Sequence, residues 1–244
     1  MKSIVLILLL TIFISAKSIN IAVAANVSYA IEDLIKSFKK SHSDIDVQTT
    51  VGSSGKLTAQ IRAGAPYSIL ISANMAYPKA LFKEGLTKDK PKVYAKGSLA
   101  LLTTRGFDIE SGLKSLTNSK IEKIAIANDK TAPYGVAAKE ALENAKLYNR
   151  LKAKFIYGES VGQTLLYTLN AADAGLVAKS LLYSPKMAKY KEGRDWISVD
   201  KSLYTPIEQG AVLIKGASSD ANEFYNFLFS KEAKKILKAF GYGV

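Results

Sequence analysis

The 244-residue chain has no cysteine and only one histidine, His42. The lack of cysteine excludes disulfides, thiolate metal sites, thiol nucleophiles and a cysteine-linked lipid anchor. Stability must come from an ordinary apolar core. His42 sits in the polar turn 41–44, so a Ser-His-Asp triad would have to be built around it, and no nucleophile-elbow motif supports one. No grouping of Asp, Glu and His has metal-ligand spacing, and Glu159 reads as a charge placed at a helix start.

Long apolar runs are missing beyond the first residues. There, Lys2 precedes an apolar run over 4–14, followed by the small residues Ser15 and Ala16. This is the pattern of a secretory signal peptide, and the run is shorter than the ~20 residues of a membrane span. We expect a signal peptide at 1–16 and a mature chain soluble in the periplasm. The net charge is +13, and loss of Lys2 leaves 13 − 1 = +12. Such a balance attracts anions. The lysines are scattered (Lys39, Lys88, Lys186, Lys234) without a dense basic run or interleaved aromatics, so no nucleic-acid partner is expected. Trp196 and the tyrosines of 183–190 read as packing and surface, not as a sugar-stacking platform.

What is present is alternation. Residues 18–25 are β-compatible, and 29–40 carry Ile31, Leu34, Ile35 and Phe38 at helical spacing. A strand at 45–51, a helix at 57–63 and a short strand at 69–72 follow. After a β-prone stretch at 93–103 the unit recurs: strand 121–127, helix 135–145, strand 153–157, helix 163–170, strand 175–178. Residues 204–214 are again extended, and 220–240 form one long amphipathic helix. The expected class is α/β, with two lobes, each a mixed sheet flanked by helices. No Gly/Ser-rich linker divides them. Two extended stretches serve as hinge crossovers, giving lobe one as 17–95 and 206–244 and lobe two as 96–205.

Four strand-to-helix junctions are small and polar: 24–28 (AANVS), 52–56 (GSSGK), 130–135 (KTAPYG) and 158–162 (GESVG). A helix start carries N–H groups without partners and a partial positive charge, which makes it an anion site. Glycine permits close backbone approach, and Ser and Asn add donors. Plain N-capping explains any one junction. Two in each half could surround a tetrahedral anion across a cleft.

The stretches AVAANVSYAIEDLIKSFKK, GSSGKLTAQIRAGAP and ILISAN resemble the periplasmic molybdate-binding proteins of ABC transporters. The similarity continues through APYGVAAKEALENA, ESVGQTLLYTLNAADAGLV, YTPIEQGAVLI and EFYNFLFSKEAKKILKAFGY, covering nearly the whole mature chain. The resemblance implies a type II periplasmic binding fold that holds molybdate or tungstate without a counter-charge and passes it to a membrane permease. It implies no catalysis, no cofactor and a monomer. Carried over, the contacts fall on Asn26, Ser54 and the main-chain N–H groups of Tyr134 and Val161, with Ala25 and Ser53 beside them. Any metal is met only through the oxygens of the oxyanion. Three positions depart from the family. Ala178 stands where some members offer a tyrosine hydroxyl, Ser68 replaces the acid after the GAP turn, and Asn74 ends the ISA stretch. Sulfate therefore stays open as a ligand. A small organic acid would want an arginine clamp, for which Arg62 and Arg105 are available, and a hydrolase would need a Ser54–Lys56 pair.

Overall fold

The computed structural model describes residues 17–244, so the expected signal segment 1–16 lies outside the described residues. In chain order the elements are β1 (Lys17–Ala24), α1 (Ala30–Phe38), β2 (Ile45–Gly52), α2 (Ser54–Arg62), β3 (Ile69–Ser72), α3 (Ala76–Lys83), β4 (Lys92–Gly97), β5 (Leu99–Thr103), β6 (Ile124–Ala127), α4 (Pro133–Asn144), α5 (Tyr148–Leu151), β7 (Phe155–Gly158), α6 (Val161–Asn170), β8 (Ala174–Ala178), α7 (Lys179–Leu182), β9 (Trp196–Ser198), β10 (Ile207–Leu213), α8 (Ser219–Phe227) and α9 (Lys231–Ala239). The class is α/β, as the alternation implies.

Two five-stranded sheets form, ordered β2-β1-β3-β10-β4 and β7-β6-β8-β5-β9. They repeat one plan. In the first, β1 lies parallel to β2 and β3, while β10 runs antiparallel to β3 and β4. In the second, β6 lies parallel to β7 and β8, while β5 runs antiparallel to β8 and β9. The strands inside each sheet are apolar on both faces, as covered parallel sheets require: Ile69, Leu70, Ile71 and all of Leu99–Thr103 are buried. On α1, Ile31, Leu34 and Phe38 point inward at helical spacing. The core of the second sheet continues across the seam to Ala24, Ala25 and Ala73, so the two lobes share an apolar contact surface.

Local β preference does not mark where the chain changes sheets. The stretch 93–103 is two strands: Gly97 still pairs with Ile207 in the first sheet, and Leu99 already pairs with Ala178 in the second. The chain crosses at Ser98 and returns between β9 and β10. The expected long helix at 220–240 is also two, because Ser230 caps α9 by accepting the Ala233 N–H at 3.1 Å. Helix α3 carries no strong apolar stripe in the sequence and was not anticipated; Pro78 and Leu81 seat it.

Asp173 braces the second sheet and holds no metal site. Among the described residues no cluster of three His, Cys, Asp or Glu exists. Its carboxylate accepts the N–H groups of Glu122 and Lys123, both at 2.9 Å, and meets Arg105 at 2.9 Å. Burial opposes its ionisation, but the Lys123 and Glu122 N–H groups and the Arg105 guanidinium outweigh burial and hold the carboxyl below its ordinary value. A depressed carboxyl adds stability above its unfolded pKa, ~4, and that stability is lost as pH falls through the folded value. We expect Asp173→Asn to cost about 2–4 kcal/mol at neutral pH, measured by urea unfolding. The gap from wild type should narrow as pH falls below the ordinary carboxyl value of about 4 and on through the lower folded value.

Candidate functional site

The four small polar junctions meet. They line a small pocket, about 10 Å³, at the seam between the sheets. The first sheet supplies Ala24, Ala25 and Asn26 after β1, Gly52, Ser53 and Ser54 after β2, and Ala73 after β3. The second supplies Ala132, Pro133 and Tyr134 at the start of α4 and Ser160 and Val161 at the start of α6. All the residues expected in the site, namely Asn26, Ser54, Tyr134, Val161, Ala25 and Ser53, lie on this wall. Parallel strands end here, and their helices begin here, which is where α/β sheets bind ligands.

Each helix start can be accounted for group by group. In α2, Gly55 N–H goes to Thr131 O at 2.9 Å, Lys56 N–H to Ser53 Oγ at 3.4 Å and Leu57 N–H to Ser53 O at 3.0 Å. The Ser54 N–H remains. In α4, Pro133 has no N–H, and Gly135 and Val136 both donate to Ala132 O, so the Tyr134 N–H remains. In α6, Gln163 N–H is taken by Ser160 Oγ at 3.3 Å and Thr164 N–H by Ser160 O at 2.9 Å, leaving those of Val161, on the cavity wall, and Gly162. After β1 a single 3-10 turn, Ala25–Val27, leaves the N–H of Asn26. Among the described residues these groups have no intramolecular acceptor. Buried N–H groups are rarely left so.

The Ser54 hydroxyl adds a fifth donor. Its Oγ accepts the Ala73 N–H at 2.9 Å, so its own proton is free to be given. The Asn26 amide is different. Both of its hydrogens are spent, on Gln209 Oε1 at 2.8 Å and on Tyr242 OH at 2.7 Å. What Asn26 can offer a guest is its main chain. Ser160 is a wall residue that the family pattern did not single out. Its capping position was legible, but its place on the cavity wall was not. Ala178 is buried and lies off the wall.

No charged side chain lines the cavity. The cations that rival readings require are used elsewhere. Arg62 is paired with Glu84 and Arg105 with Asp173. Lys56 points to Glu159 at 2.7 Å, away from a dyad with Ser54. His42, partly exposed in the turn after α1, stacks on Phe38 with ring centroids 4.3 Å apart. A larger groove on the second sheet mixes apolar residues such as Leu113, Leu147 and Ile197 with the charged Glu110, Lys114, Arg150 and Asp200, unlike the neutral wall at the seam.

The lobes touch over the site. Gly55 N–H donates to Thr131 O, Tyr77 OH to Lys130 O at 3.4 Å, and the Lys56–Glu159 pair crosses the mouth. That pair is about half exposed and contributes little by itself. The Gly55 contact is geometrically strict, since a Cβ there would sit 2.8 Å from Thr131 O and 2.9 Å from its Cα.

Two like-built lobes, hinged at two crossovers and shut over a cavity of unpaired neutral donors, define a solute-trapping protein of the extracytoplasmic type. The chain belongs to the family of bacterial extracellular solute-binding proteins, whose profile matches residues 19–243. Among named relatives, it is 33% identical to the molybdate-binding protein ModA of Azotobacter vinelandii, covering 94% of this chain and 91% of that protein. It is 32% identical to ModA of Rhodobacter capsulatus, over 93% and 89% of the two chains. The solved periplasmic molybdate-binding protein of A. vinelandii superposes with a TM-score of 0.84 at 31% identity, covering 93% of this chain and 99% of that one.

We expect Gly55→Ala to prop the lobes apart. Binding should weaken by about tenfold or more, because the closed state becomes the minor one. Ligand-free stability should hold or rise slightly, since alanine suits a helix better than glycine. Titration calorimetry and thermal melts of the same variant check both halves.

Proposed function

We propose that the protein captures molybdate or tungstate outside the cytoplasmic membrane and delivers it to the permease of an ABC importer. One observation carries this reading. Unpaired main-chain N–H groups of Asn26, Ser54, Tyr134 and Val161, with the Ser54 hydroxyl, meet at one small pocket lined by no charged side chain. Each becomes a charge-assisted hydrogen bond when a doubly charged oxyanion enters. The molybdate-binding names of the relatives point to the same guest. Lobe one, 17–95 with 206–244, and lobe two, 96–205, are the bodies that close on it. The protein works as a monomer without cofactor or catalysis, released from its signal segment into the periplasm, and meets the metal only through oxyanion oxygens.

The serine hydroxyl oxygens of the wall are already engaged: Ser53 and Ser160 cap their helices, and Ser54 Oγ takes the Ala73 N–H. A protonated oxyanion such as hydrogenphosphate would leave its own O–H poorly paired. Sulfate is the second reading, favoured by the same neutral donors.

Titration calorimetry separates them. Molybdate and tungstate should bind far more tightly than sulfate, and phosphate should give no heat of binding; sulfate binding as tightly as molybdate would end the molybdate assignment. Ser54→Ala removes one donor to a charged group and should weaken molybdate binding by about 1.5–3 kcal/mol, read in the same titration.

A further inference from the structure

The Asn26 side chain is the centre of a buried network that the anion site does not explain. Its Nδ2 donates to Gln209 Oε1 and Tyr242 OH, and its main-chain oxygen accepts Tyr242 OH at 2.9 Å and Ser180 Oγ at 2.9 Å. The orientation is determined chemically. Gln209 Nε2 gives its hydrogens to Ile207 O at 2.9 Å and Ala73 O at 3.3 Å, so its oxygen must face Asn26. The Asn26 amide must then present nitrogen, and Tyr242 OH closes a ring from the Asn26 side chain back to the Asn26 carbonyl.

Tyr242 is brought there from the far end of the chain. Helix α9 ends in a Schellman turn, with Gly241 at φ 74°, Gly241 N–H on Lys238 O at 2.9 Å and Tyr242 N–H on Leu237 O at 3.1 Å. Gly243 then exchanges two hydrogen bonds with Lys96, at 2.7 and 2.9 Å, two residues before the crossover at Ser98. Tyr242 is buried, yet it does not line the cavity. Ser180 reaches the same carbonyl from α7 of the other lobe. Beside them, the Tyr134 hydroxyl presses against Gly97 and lies near Asn26 and Ser180. Asn26 Oδ1 and Tyr134 OH are both buried without a partner, an unpaired acceptor and an unpaired donor in one region.

We propose that Tyr242 is a positioning residue for the guest. Through the Asn26 side chain and carbonyl it fixes the residue whose N–H faces the cavity, and with Ser180 it ties the following peptide, Asn26–Val27, to the opposite lobe in the closed form. Anion capture and lobe closure are then coupled through one residue, whose two flanking peptides share its Cα. Slight tightening on a guest would also pair the orphan Asn26 oxygen with the Tyr134 hydroxyl. This inference rests on the oxyanion reading above, and the test keeps the two apart.

The experiment is a set of titrations with molybdate, tungstate and sulfate on wild type, Tyr242→Phe, Ser180→Ala, the double variant and Tyr94→Phe, well below their melting temperatures. Wild-type binding tests the ligand assignment. Tyr242→Phe should bind about threefold to tenfold more weakly, mainly through faster release in stopped flow, and small-angle scattering should show less complete closure with ligand. Ser180→Ala should act in the same direction, and the double variant should fall short of the product of the two effects. Tyr94→Phe removes a buried hydroxyl that has no partner and should bind as wild type. A purely structural role would lower the melting temperature of Tyr242→Phe and leave its affinity and release rate unchanged. That result overturns the proposal, as would equal weakening by Tyr94→Phe.

Discussion

Everything in this protein is organised around a small number of main-chain N–H groups that the fold declines to satisfy. Leaving a buried donor unpaired is costly. The cost is tolerated because four loop–helix corners hold Asn26, Ser54, Tyr134 and Val161 at one point, where a guest with dense negative charge can supply acceptors. The helices behind them add partial positive charge without adding a side-chain cation. Neutral donors recognise number and geometry of oxygens, and they do not attract every passing anion as a lysine would.

The repetition of one sheet plan in both lobes makes this convergence possible. In each sheet the parallel strands deliver their helices to the same edge, and each sheet borrows an antiparallel strand beside a crossover, β10 in the first and β5 in the second. Facing the two edges across a seam brings pairs of helix starts together. Small residues permit the approach. Ala24, Ala25, Ala73 and Ala132 form an apolar lining between the donors, and Gly55 lets the two backbones come within hydrogen-bond distance. The polar wall is thin and most of its residues are buried, so that each donor acts in a medium of low dielectric.

Much of the fold was legible because strong local periodicity and burial agree. Helix α1 and the runs around β1, β3 and β8 read directly. The failures are informative. The run 93–103 is uniformly β-prone, but it belongs to two sheets, and nothing local marks Ser98 as the point of change. The helix at 220–240 hides a break because Ser230 lies in an otherwise amphipathic stretch, and a lone serine is a weak signal until its capping bond is seen. At the site, the polar junctions were visible as capping sequences. Their mutual facing was not, because it arises from contacts between residues far apart in the chain, such as Gly55 with Thr131 and Lys56 with Glu159.

Asn26 shows the boundary most clearly. The sequence alone determined an α/β protein with anion-compatible helix starts and a set of small residues at them, because those features follow from local spacing, capping chemistry and a resemblance spread along the chain. Only the tertiary structure decided what each group does. It spent the Asn26 amide on Gln209 and Tyr242 and left the neighbouring N–H open. It also paired every candidate arginine elsewhere. Hydrogen-bond partners are assigned by three-dimensional proximity, and a donor's role depends on which acceptors the fold has already placed within reach.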